Sequence, residues 1–204
     1  MLNKVRLRLH HFTAFNISRG FTLVETIVGI VVLSIAFTIF TSLIYPLANQ
    51  SAEQVHQIRA AELGQSMLNE IFGRAFDENS DMSGGVYRCG EDRNGDGLVK
   101  PENGETCSTA IGPDNLTVST KETRSSFDDV DDYDTQDNFI QAVNAIGERI
   151  DDTYINYEVM IEVIHDGNYD GNPDSDFSTA KLITVTIKTP LDIEYIFSVY
   201  KVNF

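Results

Sequence analysis

Residues 21–45 form an apolar run in which Glu25 and the phenol of Tyr45 are the only ionisable side chains. As an α-helix this run would rise about 37 Å, more than the roughly 30 Å of a hydrocarbon core, so it is long enough to span a membrane. Glu25 lies inside it, where an unpaired carboxylate is costly, and so needs either a partner or a wet helix end. The first 20 residues hold four of the 15 bases, Lys4, Arg6, Arg8 and Arg19, and none of the 31 acids. That bias keeps the N-terminus cytoplasmic and sends the rest of the chain across. A secretory signal is cut behind its apolar core after small residues, and residues 34–42 offer no such site. The cut is expected ahead of the run, between Gly20 and Phe21.

The order Arg19-Gly20-Phe21-Thr22-Leu23-Val24-Glu25, ahead of an apolar helix and behind a basic leader, resembles the class III leader of type IV pilins and pseudopilins. The resemblance covers about 30 residues and implies a set of partners. A prepilin peptidase would cleave after Gly20 and methylate the amine of Phe21. Glu25 would then pair with the N-terminal amine of a neighbouring subunit, so that other pilin subunits meet this one through the N-terminal helix. The protein would wait in the inner membrane as a single-pass chain with a periplasmic head, then move into a pilus at the cell surface. Two other readings stay open: a pseudopilin of a type II secretion system, and an extracytoplasmic calcium-binding or sensing domain that keeps residues 1–20 as a permanent anchor.

Beyond residue 20 the chain carries 11 bases against 31 acids, a net charge of −20. Such a surface repels nucleic acid and anionic headgroups and suits a solvated exported head or divalent cations. The exported part is long enough for one core of its own. Its two cysteines, Cys89 and Cys107, are expected to join in an oxidising compartment.

Past Tyr45 the apolar residues Leu47, Val55, Ile58, Leu63, Met67, Leu68, Ile71 and Phe72 recur at three- and four-residue spacing among polar ones, which predicts an amphipathic continuation over 46–76. Pro46 should kink this helix, with Gly64 and Gly73 as weaker interruptions. Residues 77–135 read as a loop-rich excursion with short strands near 85–88 and 116–119. Residues 138–150 suit a short helix, with a hairpin as the alternative because of Gly147 and the β-branched side chains. Strands are expected at 154–165, 181–189 and 191–202, the last two as a hairpin through Thr189-Pro190. The fold class is α+β: a long N-terminal helix, transmembrane then amphipathic, packed on a C-terminal antiparallel sheet, in the manner of a pilin roll. The organisation is leader 1–20, membrane or filament-core helix 21–45, amphipathic helix 46–76 and acidic head 77–204.

Two segments share the order Asp-x-Asn-x-Asp-Gly, which places oxygen ligands at alternating positions before a glycine, as calcium loops do. In the first, Asp92, Asn94, Asp96 and the Leu98 carbonyl are the candidate ligands, with Glu102 and Glu105 near the place where an EF-hand has its bidentate glutamate. In the second the candidates are Asp166, Asn168, Asp170 and Asn172, with Asp174 or Asp176 completing the shell. The same residues also favour tight turns, so solvated turns remain the alternative. The densest acidic run, Phe127-Asp128-Asp129-Val130-Asp131-Asp132-Tyr133-Asp134, is similar to a stretch of one minor pilin of the mannose-sensitive haemagglutinin pilus, and is expected to be a solvated loop because adjacent acids repel. His56 and His165 read as surface or packing residues. No nucleophile, metalloprotease or phosphate-loop motif is present, so the chain is read as a non-enzyme.

Overall fold

The computed structural model describes residues 20–82, 85–117 and 120–204, with the side chains of 45–52 and 115–120 outside the described set. Two compact units are present, one ending at Asn49 and the other Gln50–Phe204. Helix α1, Leu23–Phe72, contributes to both.

In the first unit α1 begins behind Thr22, whose Oγ1 accepts the Glu25 N–H at 3.2 Å. Thr22 and Glu25 thus stand at the N-cap and N3 positions, and an acid in the first turn also suits the helix dipole. The segment Leu23–Ile44 is long and apolar enough to cross a membrane, and none of it is buried. Its hydroxyls are satisfied by the helix itself: Ser34 donates to the Ile30 carbonyl, Thr38 to that of Ser34 and Thr41 to that of Phe37. Internal satisfaction of every polar group is what a lipid environment demands. The helical assignment runs through Pro46; the kink expected there falls among side chains outside the described residues.

In the second unit the helix turns Ala60, Leu63, Gly64, Met67 and Ile71 inward at three- and four-residue spacing. They meet a four-stranded antiparallel sheet of order β3-β4-β5-β6, formed by Ile140–Gln141, Glu158–His165, Ala180–Lys188 and Glu194–Val202. Alternation puts Val159, Ile161 and Val163 of β4 and Ile183, Val185 and Ile187 of β5 on the inner face, with Tyr195, Phe197 and Val199 of β6 beside them. Gly64 is required by this packing: a Cβ there would lie 2.5 Å from the Phe197 ring. A position expected to interrupt the helix instead lets it approach the sheet.

At one end of the inner face the apolar row gives way to His165, Lys181 and Lys201, side by side in register. These lysines replace the basic last turn that α1 lacks. Lys201 Nζ donates to the carbonyls of Phe72 and Arg74 at 2.8 and 2.7 Å, and Lys181 Nζ to that of Phe76 at 2.7 Å. The last carbonyl of the helix and two just beyond it are therefore satisfied from the sheet, while the Gly73 and Arg74 N–H groups donate to those of Asn69 and Ile71.

Strands β4, β5 and β6 match the sequence expectation closely, although β4 starts only at Glu158, behind a 3-10 turn Asp152–Tyr154. Residues 138–150 are not the helix favoured from sequence. They form β3 and an antiparallel bridge Val143–Arg149 around a turn. Asn144 Oδ1 accepts the N–H groups of Ile146 and Glu148, and Gly147 has φ 82°, so a local side-chain bond and a left-handed glycine displace the helix. The short strand expected near 85–88 is absent: Asp81 Oδ2 takes the Val86 and Tyr87 N–H groups. Strands β1, Asn115–Thr117, and β2, Thr120–Lys121, form a small second sheet.

Candidate functional site

Gly20 and Phe21 precede the helix and are exposed, and among the described residues nothing lies within 4 Å of the position of a Gly20 Cβ. A peptide bond there is open to a protease. Residues 1–19 of the leader lie outside the described residues. Glu25 is exposed, one turn from Phe21. The junction and Glu25 thus stand at the start of a predominantly apolar stretch of 22 residues, Leu23–Ile44, that no described residue covers. An uncovered apolar surface of this extent marks a membrane or subunit interface.

The two Asp-Gly loops share one turn. Gly97 N–H donates to Asp92 Oδ2 at 2.6 Å and Gly171 N–H to Asp166 Oδ2 at 2.8 Å. Asp96 N–H and Asp170 N–H each donate to the asparagine two residues earlier at 2.9 Å. Gly97 and Gly171 both have φ 82°, the sharp turn that a calcium loop places at its sixth position. Beyond this turn the loops differ. Lys100 Nζ sits on Asp96 Oδ2 and holds that carboxyl below its usual range. Glu105 is buried and accepts the Arg93 and Lys100 N–H groups, while Glu102 is exposed. In the second loop burial would raise Asp166, but the Tyr200 hydroxyl at 2.6 Å and the Gly171 and Asp170 N–H groups hold it down. Asp174 Oδ2 takes the Gly167 and Asn168 N–H groups, Asp176 takes the Ser178 N–H, and Asn172 turns its amide onto Asp170. Cys89 and Cys107 form a disulfide that closes the first loop.

A family model described as the prokaryotic N-terminal methylation motif matches residues 16–41. The motif is of the kind that type IV pilin-like leaders carry. The matched segment contains Gly20, Phe21 and Glu25 and supports a pilin or pseudopilin rather than an enzyme, one processed by a prepilin peptidase and anchored by a single apolar helix. No curated protein and no solved structure matches the chain.

The acidic run corrects the sequence expectation. Asp129, Val130, Asp131, Asp132 and Tyr133 are buried rather than solvated, the last three as a 3-10 turn. Their carboxylates are occupied: Asp129 Oδ1 takes the N–H groups of Asp131 and Asp132, and Asp132 Oδ2 those of Asp128 and Asp129. Asp131 Oδ2 meets Lys181 Nζ at 2.7 Å, and Asp77 Oδ2 lies 3.6 Å from the same nitrogen. Burial and the neighbouring acids push Asp129 up to about 8.

A second group was equally hidden. Ligand oxygens of Glu122, Asp128 and Asp132 lie within 4.8 Å of one another, and burial together with Asp132 pushes Glu122 up to about 7. Glu122 directly follows β2 and Asp128 and Asp132 belong to the acidic run just behind it, at a spacing that matches no ligand motif, so only the turn between them brings the three together. Lys181 did leave a signal: it stands two, four and six residues before Ile183, Val185 and Ile187, and so on the inward register of its strand. His165, both of whose ring nitrogens lack a hydrogen bond, packs edge-on to Phe177 at 4.8 Å, and its burial beside Lys181 lowers it to about 4.

Proposed function

We propose that this protein is a minor pilin, a structural subunit that enters a type IV pilus of the mannose-sensitive haemagglutinin kind and serves in fibre initiation, assembly or adhesion. What supports the reading is the coincidence at one helix end of an exposed Gly20-Phe21 junction inside a methylation motif, an acid at Glu25 and an uncovered apolar helix. The peptidase cuts after Gly20 and methylates Phe21. Glu25 then meets the amine of a neighbouring subunit as the helices pack, which supplies the partner that a carboxylate in an apolar core needs. The acidic head is displayed on the fibre.

Intact mass and N-terminal sequencing of the protein from its host, with and without the prepilin peptidase, test this. A chain starting at methylated Phe21 only when the peptidase is present supports the reading. An intact leader in both hosts refutes it.

We also propose that the two Asp-Gly loops take calcium, because both close the same six-residue turn with a left-handed glycine at its end. In the first loop the ion must displace Lys100 from Asp96. Calorimetry on the full chain in detergent should show binding that Asp92→Ala and Asp166→Ala each reduce; an absence of binding by the parent ends the proposal.

A further inference from the structure

The densest buried chemistry in the molecule surrounds Lys181, and the function proposed above does not use it. Its ammonium is fully buried, as is Asp77, and Asp131 is 3% exposed. The Phe76 ring covers the nitrogen at 4.5 Å. Of the two Asp131 oxygens, Oδ2 holds Lys181 at 2.7 Å while Oδ1 is buried without a hydrogen bond.

We propose that Lys181 and Asp131 become joined by an amide bond from Nζ to Cγ, with the loss of one water. The ammonium gives one proton to the Asp77 carboxylate 3.6 Å away, and the freed lone pair attacks Cγ of Asp131. The Cγ–Oδ1 bond breaks. The departing oxygen takes the proton held by Asp77 and a second proton from the attacking nitrogen, and leaves as water. Asp77 ends as the carboxylate it began as, one N–H remains to donate to the Phe76 carbonyl, and a pair of opposite charges has become a neutral amide. No oxidant or cofactor is consumed.

Three features favour the step. Groups fixed in contact react as if at effective concentrations of roughly 10⁵ M or more, which offsets the poor reactivity of a carboxylate. A buried ion pair carries a desolvation cost that the neutral amide does not. Expelling Oδ1 also removes the unsatisfied buried acceptor. Burial pushes Asp131 up to about 6 against the pull of Lys181, so the surroundings disfavour the charged pair that the neutral amide replaces. The product would tie the turn Asp131–Tyr133 to the start of β5 through a link that reducing agents cannot open.

Mass spectrometry of the full chain, purified in detergent, reduced and denatured, tests the bond directly. The expected mass is one water below that of the processed sequence. Trypsin should fail to cut after Lys181 and should release the 125–149 peptide joined to the 150–188 peptide. Asp131→Ala should restore both the full mass and the cut. A native chain at full mass, cut normally at Lys181, overturns the proposal. So does a one-water deficit that maps to an Asp-Gly pair such as Asp96-Gly97, where a succinimide gives the same mass, or one that persists in Asp131→Ala.

Discussion

At the scale of single residues, the head depends on charges buried where a chain of this composition would be expected to expose them. Lys181 neutralises acids from two segments far apart in sequence, Asp77 and Asp131. Replacing it with Met leaves both carboxylates without their cation, and the loss of stability should be about 3–5 kcal/mol, read from the midpoint of chemical denaturation. The acids also make stability depend on pH with a definite sign. The folded-state pKa of Asp129, about 8, lies above the ordinary carboxylate value of 3.8, so the native state holds the proton more tightly and loses stability as pH rises between these values. His165 acts oppositely: lowered from 6.5 to about 4, it costs stability as pH falls through that interval. The two effects offset each other below about pH 6.5 and only the acids act above it. Stability should therefore fall from pH 6.5 to 8, and Asp129→Asn should flatten that decline, each pK unit being worth about 1.4 kcal/mol. A denaturation series over this range that stays level in the parent would contradict the assignment.

Among elements, the contact between α1 and the sheet is set by Gly64. Alanine in its place should gain up to about 1 kcal/mol in helix propensity, yet its Cβ would stand 2.5 Å from the Phe197 ring. Overpacking of this kind costs about 1–3 kcal/mol, so Gly64→Ala should lower the denaturation midpoint despite the better helix former. A raised midpoint would mean that Phe197 swings aside freely. The legibility of the elements follows the same logic. The second half of α1 and strands β4 to β6 were readable because their periodicity is long and regular, and each turns the face that its pattern defines towards the core. The segment around β3 was not, because one asparagine side chain and one left-handed glycine outweigh its apolar spacing. The acidic run was misread for a longer-range reason: Asp131 is buried because a lysine fifty positions later neutralises it, and nothing local announces such a partner. Of the candidate site, the methylation motif around Gly20, Phe21 and Glu25 and the Cys89–Cys107 pair were legible, whereas the carboxylate group at Glu122, Asp128 and Asp132 needed the fold.

For the whole molecule, the question is how a chain with a net charge of −20 beyond its leader would be held in the fibre proposed for it. The uncovered apolar helix supplies attraction without direction, since apolar contact alone does not fix how far one helix slides along another. A single carboxylate near its start does, provided that the partner bears one positive charge at a fixed place. Glu25 also stands at N3 of the helix behind Thr22, so the loss of its charge must be separated from the loss of its helix. Glu25→Gln makes that separation: the backbone N–H still donates to Thr22 Oγ1, the side chain remains polar and of the same length, and only the charge is gone. The variant should be inserted and cut after Gly20 as the parent is, because the junction is untouched, and yet be depleted from sheared fibres relative to the membrane fraction. Normal incorporation of Glu25→Gln would assign the residue to helix capping alone and leave subunit register to some other contact.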